Sequence, residues 1–169
     1  MPEFSIELRP SQPYLGIAGR ITDGVPAFVD KAFPALFRWL GEHGIEPAGP
    51  PFIRFRKLDR DREPLELEVG VPVDGNAEAD DRVRADSLPA GRYLTHMHVG
   101  PYRSETAPDL AVARERLIGW AADQGIVYSR ETDRGLTLPC VLERYLIGPP
   151  NEADFSKWET EFAYLVLDD

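Results

Sequence analysis

The chain has 169 residues, of which 43% are hydrophobic and 28% are charged, a composition that fits one globular domain and excludes a disordered protein. Its net charge of −10 repels phosphate backbones, so direct binding to nucleic acid is not expected. No apolar run approaches the roughly 20 residues of a membrane span, and the first residues lack the pattern of a signal peptide, so we expect a cytoplasmic protein without a membrane partner. Cys140 is the single cysteine, which excludes an internal disulfide and a CxxC pair, and it is predicted to be a buried strand residue.

Two segments of the chain resemble each other. Residues 33–45 (FPALFRWLGEHGI) and 114–126 (RERLIGWAADQGI) each carry a tryptophan five residues before a Gly-Ile pair. Each segment follows a strand-like run with a glycine-bearing turn, at residues 13–24 and 92–102. Each is followed by two more strand candidates, at residues 51–58 and 64–73 in the first case and 141–148 and 158–167 in the second. The sequence therefore predicts two copies of a β-α-β-β unit.

The apolar residues of both repeats recur at helical spacing. The first predicted helix covers about residues 26–43 and contains Pro34, which is expected to kink or restart it. The second covers about residues 107–124, with Ser104 or Thr106 as its N-cap. The residues predicted to face the core are Phe28, Ala32, Leu36, Trp39 and Leu40 in the first helix and Leu110, Ala113, Leu117, Trp120 and Ala121 in the second.

Two antiparallel strand sets with one helix each bury their apolar faces best when both helices cover one face of a shared sheet. The predicted fold is therefore a single α+β domain over residues 1–169, in which duplicated β-α-β-β units form one antiparallel sheet. The helices are expected on one face and a ligand groove on the other. The first unit is predicted at about residues 1–75, a polar linker at 76–88, and the second unit at about 89–169.

The last predicted strand carries an acid within an otherwise apolar run. Strand alternation places Phe162 and Tyr164 on the face that packs on a helix and turns Glu161 toward the groove. The repeat places Glu68 at the position that matches Glu161. The alternative interpretation of both acids is that they are solvated residues on the outer face of half-exposed strands.

Aromatic residues are expected beside these acids. Tyr145 falls on the strand that adjoins Glu161, and its mate in the repeat is Phe55. A carboxylate surrounded by aromatic rings suits a lipophilic cation, because the rings and the negative charge both attract it. The predicted ligand-binding residues are Glu161, Tyr145, Phe55, His98 and Glu68.

His96 and His98 share one face of a strand and could bind a metal with Glu143 or Glu161 as a third ligand. No clear pattern supplies that third ligand, so neither a metal nor a cofactor is predicted. The alternative role of His98 is to fix the following turn or to line the groove. The sequence also has no Ser-His-Asp spacing, GxSxG elbow or phosphate-binding glycine loop.

Four motifs occur in a characteristic order. They are an H-x-G-P-Y turn at residues 98–102, a W-x-x-x-x-G helix end at 120–125, a tyrosine-bearing strand that ends in proline at 145–149, and a W-x-T-E strand at 158–161. In this order the chain resembles, over nearly its whole length, the GyrI-like small-molecule-binding domains, also called bacterial transcription activator effector-binding domains.

The resemblance implies a groove that binds hydrophobic, often cationic drugs, with a glutamate of the last strand as the counter-charge. Glu161 matches that glutamate, and Tyr145 resembles a groove tyrosine of the family. In multidrug-responsive regulators the domain follows a DNA-binding helix-turn-helix, for which this chain has no room, so we expect it to resemble the stand-alone members. The leading prediction is a protein that senses or sequesters small, lipophilic, cationic molecules.

Two other functions are implied by stand-alone relatives. Some are hydrolases that open the cyclopropane ring of DNA-alkylating natural products with a Glu and a Tyr. In that case Glu161 would act as a general base on water, and the Tyr145 hydroxyl would donate to the developing oxyanion. Others are linked to protection of DNA gyrase, a protein partner for which the sequence marks no surface.

Overall fold

The computed structural model describes residues 3–75, 78–105 and 109–168. Within these ranges the chain forms nine strands, two α-helices and a short 3₁₀ helix. In chain order they are β1 (Ser5–Arg9), β2 (Gln12–Arg20), α1 (Val25–Glu42), β3 (Phe52–Leu58), β4 (Pro64–Pro72), β5 (Arg84–Leu88), β6 (Gly91–Val99), α2 (Leu110–Asp123), β7 (Arg130–Thr132), β8 (Gly135–Ile147), the 3₁₀ helix (Phe155–Lys157) and β9 (Glu159–Leu165). Neither helix in the described ranges is both long enough and apolar enough to span a membrane.

The strands form one curled antiparallel sheet in the order β1-β6-β9-β8-β3-β4-β2-β5, with β7 paired to β8. The elements β2-α1-β3-β4 and β6-α2-β8-β9 are the two predicted units, and they meet where β3 pairs with β8. At this seam Phe52 lies opposite Arg144 and Phe55 lies opposite Val141. The predicted α+β class is therefore confirmed, with one antiparallel sheet built from duplicated units.

The outermost strands, β1 and β5, were not predicted, and they are exchanged between the units. The strand β1 precedes the first unit but pairs with β6 of the second, whereas β5 precedes the second unit but pairs with β2 of the first. Because β5 spans Arg84–Leu88, the predicted linker at 76–88 is wrong at its C-terminal end. Residues 76 and 77 of that linker lie outside the described residues.

Both helices pack on the same face of the sheet. The buried residues of α1 and α2 form two apolar cores with strand residues, and Phe55 of the central strand β3 contacts both cores. The buried helix residues are Ala32, Leu36, Trp39 and Leu40 in α1 and Leu110, Ala113, Leu117 and Ala121 in α2. The predicted core residue Trp120 is instead half-buried at the margin, where it stacks on Phe4 at 5.1 Å.

The helix ends differ in part from the predictions. The helix α1 runs without interruption past Pro34. The helix α2 begins at Leu110, and its N-cap is Asp109, whose side chain accepts a hydrogen bond from the backbone N–H of Val112 at 3.2 Å. The prediction of Ser104 as the cap is therefore wrong, since the Asp109 carboxylate already satisfies this helix end. The alternative cap Thr106 and the predicted first helical residue Ala107 lie outside the described residues.

The face of the sheet away from the helices carries a third buried cluster. Its members are Tyr14, Phe52, Leu88, Tyr93, Cys140, Leu142 and Ala163. Cys140 is a fully buried strand residue, as predicted, and burial raises the pKa of its thiol. Strongly curled sheets can bury side chains on both faces, so this face is filled mainly by residues of the sheet itself.

Gly135 is held in a constrained backbone conformation where β8 begins. Its φ is +145°, and a Cβ there would overlap the carbonyl oxygen of Leu58. We expect Gly135→Ala to lower the free energy of unfolding by about 1 to 3 kcal/mol or more, because both the backbone and the contact are unfavourable. Urea unfolding is the measurement.

Gly119→Ala is the matched control. Gly119 lies inside α2, and its Cβ would meet nothing within 4 Å. Alanine is favoured over glycine inside a helix by up to about 1 kcal/mol, so this variant should be at least as stable as the wild type. A Gly135→Ala protein that is equally stable would contradict the expected strain.

Candidate functional site

The five predicted ligand-binding residues lie on two different faces of the sheet. Tyr145, Phe55 and His98 point toward the helices, where Tyr145 and Phe55 pack against the α1 core. Glu161 and Glu68 point to the opposite face. These five residues therefore do not line one groove.

The registers of β8 and β9 explain why Glu161 and Tyr145 are separated. Glu161 lies opposite Arg144, and Tyr145 lies opposite Thr160. Successive residues of a strand point to opposite faces, so the side chains of Arg144 and Tyr145 diverge. The expectation that Tyr145 adjoins Glu161 in one site is wrong for this reason.

Two arginines of the same chain neutralise Glu161. Arg9 donates to both carboxylate oxygens at 2.8 and 2.9 Å, and Arg144 donates to Oε1 at 2.5 Å. Burial acts to raise the pKa of this carboxyl, but the hydrogen bonds and charges of Arg9 and Arg144 outweigh it and hold the pKa below its ordinary value. Glu161 is thus a partly buried structural anion rather than a solvated strand residue.

Glu68 has a similar environment on the same face. Its side chain is fully buried and accepts hydrogen bonds from the Tyr14 hydroxyl at 2.5 Å and from Arg56 at 2.9 Å. Arg56 also reaches Asp86 of β5 at 3.3 Å, so the network ties the exchanged strand to the first unit. The interpretation of Glu68 as a solvated residue is wrong, because the register of β4 turns it into the buried cluster.

A third acid, Glu143, faces the helices on the same side as Tyr145. Its side chain is 2% exposed, and Arg114 of α2 donates to its two carboxylate oxygens at 2.9 and 3.0 Å. Burial raises the pKa of the Glu143 carboxyl, although Arg114 acts in the opposite direction. The sequence suggested Glu143 only as a metal ligand, but its spacing of two from Tyr145 on one strand already predicts a shared face.

Tyr145 is the centre of a row of aromatic side chains. Its ring centroid lies 6.3 Å from that of Phe33 in α1 and 5.7 Å from that of Tyr102. Tyr102 in turn contacts Trp158 at 4.7 Å. Burial raises the pKa of the Tyr145 hydroxyl well above its ordinary value, and the negative charge of Glu143 adds to the increase. The aromatic row consists of Phe37, Phe33, Tyr145, Tyr102, Trp158 and Phe155.

Thr160 adds an unsatisfied polar group beside this row. Its side chain is fully buried between His98 and Tyr145 in the strand register, and no described residue forms a hydrogen bond with its hydroxyl. Buried polar groups are rarely left without a partner, so such a hydroxyl favours a water or a ligand nearby. Glu143, Tyr145, Thr160, Phe33 and Arg114 define what we call the inter-helix site.

The two histidines are bonded to backbone carbonyls. His98 Nε2 lies 3.0 Å from the Pro101 carbonyl oxygen, which fits the role of fixing the following turn. His96 Nδ1 lies 2.8 Å from the Glu3 carbonyl oxygen. Across residues 3–75, 78–105 and 109–168, no group of three or more His, Cys, Asp or Glu could hold a metal ion.

A surface recess lies elsewhere, beside α2 at the end of β6. It has a volume of about 350 Å³, and its described lining includes His98, Pro101, Val112 and Arg116 but no acid. An acid-free recess of this kind offers no counter-charge to a cation. The inter-helix site, with a buried carboxylate beside aromatic rings, is therefore the stronger candidate.

The sequence is matched by a family model, and the fold is matched by solved structures. Residues 2–162 match the family model described as the GyrI-like small molecule binding domain. The chain belongs to the GyrI-like family. No curated protein matches this GyrI-like chain.

Solved structures share the GyrI-like architecture at low sequence identity. The C-terminal domain of EcmrR superposes with a TM-score of 0.79 at 17% identity, covering 98% of both chains. The protein described here spans only 57% of the EcmrR chain in the EcmrR–DNA complex. A hydrolase from Listeria innocua gives a TM-score of 0.61 at 17% identity, covering 98% of this chain and 92% of that one. The structure of SAV2435 bound to tetraphenylphosphonium gives a TM-score of 0.56 at 14% identity, covering 98% of this chain and 94% of that one. At these identities the likeness shows the fold.

The ion pairs of Glu161 predict how the stability of this GyrI-like chain depends on pH. Because the folded-state pKa of Glu161 is depressed, its stabilising effect is present above the unfolded pKa and is lost as pH falls through the folded pKa. We expect Glu161→Gln to lower the free energy of unfolding at pH 7 by about 1 to 3 kcal/mol. The difference in the free energy of unfolding between Glu161→Gln and the wild type should narrow only below about pH 4, where carboxyl groups ordinarily titrate.

Urea unfolding at pH 7 and pH 3.5 checks this expectation. The control is Glu7→Gln, since Glu7 bonds the same Arg9 at 2.9 Å but is half-exposed, and an exposed ion pair contributes little. A Glu161→Gln deficit of equal size at both pH values would show that the charge of Glu161 is not what stabilises the fold.

Proposed function

We propose that the chain binds small lipophilic cations at the inter-helix site, to sense or sequester them, with Glu143 as the counter-charge. The observation that carries the proposal is the fully buried Glu143 carboxylate beside the aromatic row. Membership in a small-molecule-binding family supports it. SAV2435, which has the same fold, is bound to the lipophilic cation tetraphenylphosphonium in its solved structure.

The chemistry of the inter-helix site matches such a ligand. Aromatic faces attract a cation and also bury its apolar surface, and a desolvated carboxylate adds direct charge attraction. The outer rings of the aromatic row remain accessible, because Phe37 is 42% exposed and Phe155 is 57% exposed. A ligand can therefore meet this row from solvent.

The ligand role predicted for Glu161 moves to Glu143 in this proposal. Glu161 is bonded by two arginines of the sheet, Arg9 and Arg144, and its side chain faces away from Tyr145. Glu143 lies on the same face as Tyr145 and Thr160. Glu143 is therefore a better counter-charge for the ligand than Glu161.

Binding of tetraphenylphosphonium, measured by isothermal titration calorimetry, tests the proposal. We expect Glu143→Gln to weaken binding about 5- to 150-fold, the equivalent of the roughly 1 to 3 kcal/mol of a charged interaction. The matched variant Glu161→Gln should leave the affinity within about threefold, because it alters the opposite face. The neutral analogue triphenylphosphine oxide should bind both variants as it binds the wild type.

Thermal unfolding establishes that each variant is folded at the assay temperature. Tyr145→Phe is a further control, because it keeps the ring and should hold tetraphenylphosphonium within about threefold of wild type. Equal weakening by Glu143→Gln and Glu161→Gln in folded proteins would argue against Glu143 as the counter-charge. Absence of binding by the wild type would overturn the proposed function for this class of cation.

Hydrolysis of a strained ring is the second candidate, and the shared face of Glu143 and Tyr145 favours it. The pair Glu161 and Tyr145 cannot act on one substrate, because the two side chains lie on opposite faces. Glu143 could take a proton from water while the water oxygen bonds to a ring carbon and the strained carbon–carbon bond breaks. The electrons of that bond move to a conjugated oxygen, to which the Tyr145 hydroxyl donates.

Incubation with a cyclopropane-bearing alkylating agent, followed by an assay for the ring-opened product, tests the hydrolase candidate. If the chain is such an enzyme, Tyr145→Phe should reduce turnover by about 100-fold or more, and Glu143→Gln should abolish it. Glu161→Gln should retain turnover wherever it remains folded. Ring opening by the wild type no faster than in buffer would exclude this substrate class.

A further inference from the structure

The inter-helix site already holds a cation, which belongs to the chain itself. The Arg114 guanidinium binds both oxygens of Glu143 and lies within electrostatic range of Tyr145 and Tyr164. It therefore takes the position that a cationic ligand would need in order to reach the carboxylate. With Arg114 in place, the charge of Glu143 is neutralised.

The partner of Glu143 differs from the partners of the other two buried acids. Glu161 is held by Arg144 of the neighbouring strand β8 and by Arg9 of β1, and Glu68 is held by Arg56 together with a buried tyrosine hydroxyl. Glu143 has, among the described residues, a single ionic partner, and that partner extends from a helix. The side chain of Arg114 is 37% exposed, against 23 to 29% for the arginines that hold Glu161 and Glu68.

The exposure of Arg114 gives it an alternative place. An arginine side chain that is already partly in solvent can turn outward with its charge fully hydrated, which limits the cost of breaking the pair. Glu143 has no such freedom, because it is fixed on the central strand β8 and buried. A Glu143 carboxylate that stays ionised therefore needs a cation beside it, either Arg114 or a ligand.

We infer that Arg114 is a specificity-determining residue that competes with the ligand for Glu143 and turns to solvent when a lipophilic cation binds. This inference rests on the proposed function. To displace Arg114, a cation must also bury apolar surface against the aromatic row. Small hydrophilic cations gain nothing over the resident guanidinium and are rejected.

The variant Arg114→Gln tests the competition, with Arg116→Gln as the matched control. Arg116 is on the same helix, is more exposed, and pairs with Glu3 rather than with Glu143. We expect Arg114→Gln to bind tetraphenylphosphonium about tenfold or more tightly than wild type, since the ligand no longer displaces a charged hydrogen-bonded partner. The affinity of Arg114→Gln for triphenylphosphine oxide should differ from that of the wild type by less than about threefold. Arg116→Gln should bind both ligands as the wild type does.

A second readout uses a small cation that resembles the arginine head group. In Arg114→Gln, millimolar guanidinium should occupy the vacated position and weaken tetraphenylphosphonium binding in a concentration-dependent way. In the wild type the same guanidinium concentration should have no effect. A purely structural role for Arg114 would produce neither the tighter binding nor this competition. If Arg114→Gln does not fold, Arg114→Lys, which keeps the charge but loses the paired hydrogen bonds, should give a smaller gain in affinity.

The outcomes separate this inference from the proposed function. If the wild type binds tetraphenylphosphonium and Arg114→Gln binds it no more tightly, the competition is overturned and the proposed function stands. Binding by Arg114→Gln alone would support the competition and overturn the proposed function of the wild-type chain. If neither protein binds, both are overturned.

Discussion

The pairing of β3 with β8 is the constraint on which the rest of the structure depends. This antiparallel seam joins the two units, and its register places Phe55 and Tyr145 on one face of the sheet. Both helices must cover that same face, because each unit buries its apolar strand residues there. The inter-helix site is a direct result, since the central strands bring their helix-facing residues to the junction of the two units.

Three buried or nearly buried acids show how the protein handles charge inside a compact domain. A desolvated carboxylate is unfavourable unless it is paired and hydrogen-bonded, and each acid has partners of that kind. For Glu68 and Glu161 those partners come from the sheet itself, so the charges are part of the framework. The partner of Glu143 is Arg114 of α2, so the ion pair of Glu143 does not depend on the pairing of strands.

The duplication places equivalent residues in equivalent strands, but the two halves use them differently. Glu68 lies opposite Arg54, and Glu161 lies opposite Arg144, so the register supports their match in the repeat. The Tyr14 hydroxyl bonds Glu68, whereas Glu161 is bonded by Arg9 from the exchanged strand β1. Exchange of β1 and β5 thus lets each half complete the charge network of the other, which makes the two units one structural body.

The sequence by itself determined the α+β class, the two β-α-β-β units, the helix-facing aromatic residues of β9 and the burial of Cys140, because these depend on local periodicity and on an internal repeat. It could not determine which acid faces the aromatic residues. Alternation within one strand places Glu143 and Tyr145 on the same face. The face on which Glu161 lies relative to Tyr145 depends instead on the register between β8 and β9. A shift of that register by one residue would turn every side chain of a strand to the other face of the sheet. The exchange of β1 and β5 and the pairing of Arg114 with Glu143 join residues far apart in the chain, so only the tertiary structure decided them.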